Sequence, residues 1–435
     1  MLSCFKIRNF KSILDMTINF SYAEGKAPNH YQELDFFPFL ETSNQKKFVP
    51  CLSFYGANAS GKTNIIKAFL VFKTILQTGI VHRYFPNKLN PKYNYSSFCI
   101  EFLVGKDNFK YFIAYDAATI REETLIKNNK ELYSIHQDKG NKFFNIVKEN
   151  YSEEKLNNII KVECSQYVGE NKLGQTLPFL TKIHFAYQGL NQDINQVYNF
   201  IEDSLMVTLT NAIPYRIPLD QLAINGSNEI TEQNIHKSFE KISAILRKFD
   251  IDIQRMSLNR EMFPLQETKG ITIKGPSSVF QNKQTNMLEV DHINSYHKNI
   301  NGEEVLFNFA DEESNGTNIL LSVLSLVFLA LQRGNVLIID ELDRALHPMI
   351  VIQLIQMFKD KRYNTKNAQL IFTSHATDIL APDTFRVSEV GIINKTLKTG
   401  TTLKRISDYE KVRNVNDFRR LYWNGVFGGL PFPYI

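Results

Sequence analysis

The stretch FYGANASGKTNIIKAF, residues 54–69, constrains the fold more than any other segment. Gly56, Ala57, Asn58, Ala59, Ser60, Gly61, Lys62 and Thr63 form a complete G-x4-G-K-[ST] phosphate loop, and Asn64 follows it. Glycines without a Cβ let the backbone wrap around a β-phosphate, and successive N–H groups at a helix start attract negative charge. In such a loop Lys62 reaches the β- and γ-phosphates, and the Thr63 hydroxyl is a ligand for Mg²⁺. The chemistry requires a buried strand before the loop and a helix after it. VPCLSFYG and TNIIKAFLVFKTILQ have the compositions for those two elements. The expectation is an α/β chain that takes ATP with Mg²⁺.

Three later segments carry compatible chemistry. VLIIDELDRALHP, residues 336–348, is an apolar strand ending in Asp340, which can hold Mg²⁺ directly or through water. Glu341 comes next, where a carboxylate can polarise an attacking water. QLIFTSH ends in His375, a group able to hydrogen-bond to a γ-phosphate or to that water. DEESNGTNILLSVLSLVFLAL places Ser314, Gly316 and Thr317 at the start of an apolar helix, where hydroxyls and free N–H groups favour an anion. Ser314 and Thr317 suit an ordinary helix cap equally well.

The rest of the chain frames these motifs. CFKIRNFKSI and DMTINFS alternate like a hairpin, and SSFCIEFLVGKDNFKYFIAYDA reads as two antiparallel strands turning at GKDN. Residues 1–125 are therefore expected to form the first part of an ATPase head. Residues 126–265 read as a mostly helical insertion, with SEEKLNNIIKVE, NQVYNFIEDSLMVTL and ITEQNIHKSFEKISAILRKFD as its helices. Residues 266–435 return to short buried strands alternating with helices, the pattern of a parallel sheet, and complete the head.

Composition excludes little beyond this. Lys and Arg number 50 against 45 Asp and Glu, an excess that permits contact with nucleic acid without demanding it. Candidate basic contacts are Lys359, Lys361, Arg362, Arg419 and Arg420. Cys4, Cys51, Cys99 and Cys164 are too scattered for a zinc site and suit reduced cytosolic thiols. The longest apolar run, residues 319–331, is short of the roughly 20 residues that cross a bilayer, so a cytoplasmic protein without a membrane segment is expected.

The order of phosphate loop, long insertion, S-x-G helix, D-E strand and His strand resembles the ABC-type ATPases of the SMC and RecF class. In them two heads meet face to face, and the S-x-G motif of one completes the γ-phosphate site of the other. The resemblance implies that Ser314 and Gly316 act in trans, that RALHP runs along the dimer seam, and that the partner is a second copy in an even-numbered assembly. The E-S-x-G-T signature, IIDELDRALHP and the tail DFRRLYWNGVFGGLPFPYI look like the compact prokaryotic ATPases of abortive-infection and restriction-linked loci, such as the RloA/AbiL-type proteins and the AriA subunit of the PARIS phage-defence system. That likeness covers residues 1–125 and 300–435. It implies a slow, regulatory ATPase working with a separate effector, a Toprim-type nuclease, and responding to a phage trigger protein. The chain has no Toprim pattern of its own. A rival reading is a RecF-like ATPase that binds nucleic acid in DNA repair; a transporter ATPase fits poorly, because the signature is not LSGGQ. No long heptad run is present, and Gln188 and Gln192 are the candidates for a glutamine lid loop.

Overall fold

The computed structural model describes residues 1–22, 40–41, 47–138, 141–146, 177–186, 192–209, 232–264, 277–282, 287–409 and 417–430. Two compact units divide the chain. The first comprises Met1–Leu209, Gly334–Leu342 and Ile355–Ile435; the second comprises Thr210–Arg333 and Asp343–Leu354.

A 13-stranded mixed sheet organises the first unit. Its parallel part runs Leu205–Thr208, Val336–Ile339, Gln369–Thr373, Cys51–Tyr55, Val390–Thr396. CLSFY and QLIFT are buried at every position, as strands covered on both faces must be. The sheet then turns antiparallel through Gly400–Arg405, Ile13–Asn19, Leu2–Phe10, Ser96–Val104, Asp107–Tyr115, Ile120–Lys127, Lys130–Asp138 and Asn141–Ile146. Here burial alternates, as along Ile13–Asn19, so one face is wet. The helix Lys62–Thr78 buries Ile65, Ile66, Phe69, Phe72, Ile75 and Leu76, a stripe at helical spacing. Phe69 stacks on Phe5 at 4.0 Å between ring centroids, and Phe72 meets Phe98 edge-on at 5.8 Å, which ties the helix to the antiparallel strands.

The second unit holds a four-stranded antiparallel sheet made of Arg255–Pro264, Met287–Lys298, Ser277–Asn282 and Glu304–Asn308. The helix Glu232–Lys248 buries Phe239, Ile242 and Leu246 at helical spacing, and Ile245 beside them is half-buried. Asn315–Arg333 is the one described helix long and apolar enough to cross a membrane, but 67% of that window is buried inside the protein, as for a core helix.

The hairpin, the loop strand and helix, and the pairing at GKDN form as expected. Among the described residues, 126–265 combine strands with helices. Ile120–Lys127, Lys130–Asp138 and Asn141–Ile146 extend the antiparallel meander of the first unit. Asn128 and Asn129 both adopt left-handed backbone (φ 50 and 65), which makes the tight turn between two of these strands. Leu205–Thr208 even joins the parallel core. The expected division after residue 125 therefore falls inside a strand, and the compact units change over at 209/210 instead. SEEKLNNIIKVE lies outside the described residues.

Candidate active site

The parallel strands deliver their C-terminal ends to one place, where open α/β sheets bind ligands. Cys51–Tyr55 leads directly into Gly56. The loop then depends on two backbone conformations: Ala59 (φ 59) and Gly61 (φ 106) are left-handed. Gly56 has no room for a side chain, since an added Cβ would lie 2.5 Å from the Ile393 carbonyl oxygen. Gly61 precedes the helix Lys62–Thr78, whose first turn contains no acidic residue, so its positive end is uncompensated by side chains there. The buried Lys62 ammonium donates to Gly56 O at 2.7 Å and Ala57 O at 3.1 Å, which keeps its charge inside the curve of the loop.

Asp340 follows Val336–Ile339, which Gln369–Thr373 separates from Cys51–Tyr55. Its amide donates to Thr208 O, and its carboxylate is nearly buried. Thr63 Oγ1 lies 3.3 Å from Asp340 Oδ1. Two hard oxygens converging beside a phosphate loop fit Mg²⁺, which takes one or two protein oxygens and leaves the rest to phosphates and water. Glu341 follows in left-handed backbone, φ 50, which costs a non-glycine residue about 1–2 kcal/mol.

Thr373, which the sequence reading passed over, holds this geometry. Its hydroxyl donates to Asp340 Oδ1 at 2.7 Å and accepts from the Glu341 amide at 2.6 Å; its carbonyl accepts from Leu342 N. One fully buried threonine thus fixes both the acidic side chain and the strained backbone after it. The only sequence signal was its position, two residues before His375 in QLIFTSH. His375 itself is exposed at the tip of the same strand. The structure therefore brings Gly56 to Asn64, Asp340, Glu341 and His375 to one end of one sheet.

A second group braces the loop from the hairpin side. Asn64 Nδ2 donates to Ser12 Oγ at 2.7 Å, Thr401 N donates to Ser12 O, and Thr401 Oγ1 lies within hydrogen-bond distance of Ser12 Oγ and Ser60 O. Beyond Ser12 opens a cavity of about 420 Å³ lined by Lys11, Phe85, Lys88 and Lys395. Burial, aided by Lys67, holds Lys11 below the ordinary lysine range.

Ser314, Gly316 and Thr317 belong to the second unit. Ser314 is exposed and caps the helix Asn315–Arg333: its Oγ accepts from Thr317 N at 3.1 Å and pairs with Thr317 Oγ1 at 2.8 Å. Thr317 is buried behind it. A Cβ on Gly316 would stand 3.1 Å from Ala345 O, so the DRALH loop packs against the helix start. Glu313 accepts from Ser295 Oγ at 2.5 Å and lies 2.6 Å from His297 Nε2, anchoring the same point to the antiparallel sheet. Gln192 is an exposed residue at the start of the helix Gln192–Asn199, and Gln188 lies outside the described residues.

The basic candidates for nucleic acid lose their first member. Lys359 is 1% exposed and donates to Thr384 O and to the buried Glu389, so it is a structural ion pair. Arg362 pairs with Asp360, and Arg419 with Asp378, leaving less uncompensated charge than the sequence suggested.

Residues 183–381 match the model of a family described as "AAA domain, putative AbiEii toxin, Type IV TA system". The matched span covers less than half of the chain. It includes Ser314, Asp340, Glu341 and His375 and stops short of the phosphate loop on the N-terminal side. No protein of curated function matches the sequence. Among solved structures, the SMC head domain from Thermotoga maritima is similar, at 11% identity and a TM-score of 0.40, with 93% of this chain and 98% of that chain covered.

Proposed function

We propose that the chain is an ATP-hydrolysing subunit of an anti-phage, abortive-infection defence complex in the cytoplasm, and that nucleotide-dependent pairing of two copies controls a separate effector. The observation that carries the ATPase reading is the approach of the Thr63 hydroxyl to the Asp340 carboxylate beside a complete phosphate loop. The loop amides and Lys62 would hold the β- and γ-phosphates. Mg²⁺ held by Thr63 and Asp340 would neutralise charge on the β- and γ-oxygens. Glu341 accepts the proton as water attacks the γ-phosphorus, the bond to the β-phosphate oxygen breaks, and ADP and phosphate leave. His375 hydrogen-bonds to the γ-phosphate. Ser314, Gly316 and Thr317 of a second copy close the site, so ATP joins the copies and hydrolysis releases them.

The defence role is supported by the family description, which names an AbiEii toxin of a type IV toxin–antitoxin system. The effector is expected to be a Toprim-type nuclease released by a phage trigger protein. Binding of Mg·ATP by calorimetry tests the core of this reading. Wild type should bind and slowly hydrolyse ATP, and Lys62→Ala should do neither; equal binding by the two proteins would contradict it.

A further inference from the structure

The tail segment DFRRLYWNGVFGGL, residues 417–430, has no part in the chemistry above, yet it lies under the phosphate loop. Its short helix Phe418–Trp423 ends in a turn through Gly425, Gly428 and Gly429, all left-handed. A Cβ added at Gly429 would come within 2.9 Å of Ile392 Cγ2 and 3.4 Å of the Gly56 Cα. The turn therefore lies against the first glycine of the loop; glycine is required at 429 by its left-handed backbone and the nearness of Ile392, and at 56 by the Ile393 carbonyl.

Specific polar contacts hold it there. Asn394 stands near the C-terminal end of Val390–Thr396, the strand paired in parallel with Cys51–Tyr55. Its Oδ1 accepts from Gly429 N at 2.6 Å, and its Nδ2 donates to Phe427 O at 3.4 Å. Tyr409 Oη also donates to Phe427 O, at 2.7 Å. Tyr422 is buried, donates its hydroxyl to Gly429 O at 2.9 Å, and sets its ring edge-on to Tyr55 at 6.3 Å. Tyr55 is the residue immediately before Gly56. The Gly56 carbonyl in turn accepts from Lys62 Nζ. An unbroken line of contacts thus runs from the tail turn through Gly56 to the phosphate-binding lysine.

We infer that the C-terminal turn is the floor of the phosphate loop, with Asn394, Tyr422 and Gly429 as positioning residues that set the height of Gly56 and thereby the affinity for the triphosphate. The inference rests on the ATP reading of the loop. It differs from simple packing in what it moves. Asp340, Glu341 and His375 are on other strands, so loosening the floor weakens binding while leaving turnover at saturating ATP intact.

The test measures Kd for Mg·ATP, kcat at saturation and melting temperature for four variants. Asn394→Leu and Gly429→Ala should raise Kd about tenfold, a 1.4 kcal/mol effect, with kcat within about twofold of wild type. Asn394→Asp keeps the acceptor for Gly429 N and should bind within about twofold of wild type. Tyr422→Phe removes a single hydroxyl and should raise Kd about threefold; it decides the matter if Gly429→Ala does not fold. Folded Asn394→Leu and Tyr422→Phe proteins that melt earlier but bind ATP with the wild-type Kd would overturn the inference. A wild-type protein that binds no ATP would overturn the nucleotide reading instead, a result distinguishable from the first.

Discussion

Replacing Thr373 with valine removes one hydroxyl from a fully buried position and leaves the side-chain shape almost unchanged. Two hydrogen bonds disappear. The bond to the Asp340 carboxylate is of the charge-assisted kind, worth about 1.5–3 kcal/mol, and the bond from the Glu341 amide is worth about 0.5–1.5 kcal/mol. The second bond holds Glu341 in a backbone conformation that costs about 1–2 kcal/mol, so its loss lets that residue relax away from φ 50. Together the losses amount to about 2–4.5 kcal/mol, which corresponds to roughly 30- to 2000-fold in rate if it all reaches the transition state. Steady-state ATPase assays across a magnesium titration should show kcat reduced within that range and half-saturation by Mg²⁺ moved to higher concentration. Thr373→Ser keeps the oxygen and should recover most of the rate. The reasoning fails if Thr373→Val turns over like wild type at the same magnesium requirement, or if serine is as damaging as valine.

Two further predictions concern the scaffold. Lys359→Met leaves Glu389 buried without its cation and should destabilise the protein by about 3–5 kcal/mol in urea unfolding, while Lys361→Met should change stability little. Glu123 is fully buried, and burial pushes its carboxyl above the ordinary glutamate range despite hydrogen bonds from Tyr111, Tyr133, Phe179 and Leu180. A folded-state value above the unfolded one means that the native protein binds the extra proton. Stability should therefore fall as pH rises from about 4.3 through the raised value, and the step should vanish in Glu123→Gln.

The parts of the site that could be read from the sequence are those whose chemistry is contiguous. Gly56 to Thr63 specify their own backbone, and the apolar runs before Asp340 and His375 announce buried strands. Thr373 was invisible because its role comes from lateral register: Phe372 pairs with Ile339, so the next residue faces Asp340 across the strands. Ser12, Thr401 and Asn394 were hidden for the same reason, since each meets the loop through neighbours 35 to several hundred residues away. The middle region misled because polar stretches such as IREETLIKNNKEL suit helix or strand equally. There the two asparagines at 128 and 129 were the decisive turn signal. Lys359 looked like surface charge because nothing in its local sequence points to Glu389, thirty residues on.

The central claim is that a bound triphosphate joins two copies, each completing the other's site with Ser314 and Gly316. Sedimentation velocity of Glu341→Gln with and without Mg·ATP tests it most directly, because this variant should hold ATP without consuming it. The account predicts that ATP doubles the mass of the sedimenting species, and that adding Ser314→Arg abolishes the shift while ATP still binds. An unchanged mass in Glu341→Gln at saturating ATP would contradict it.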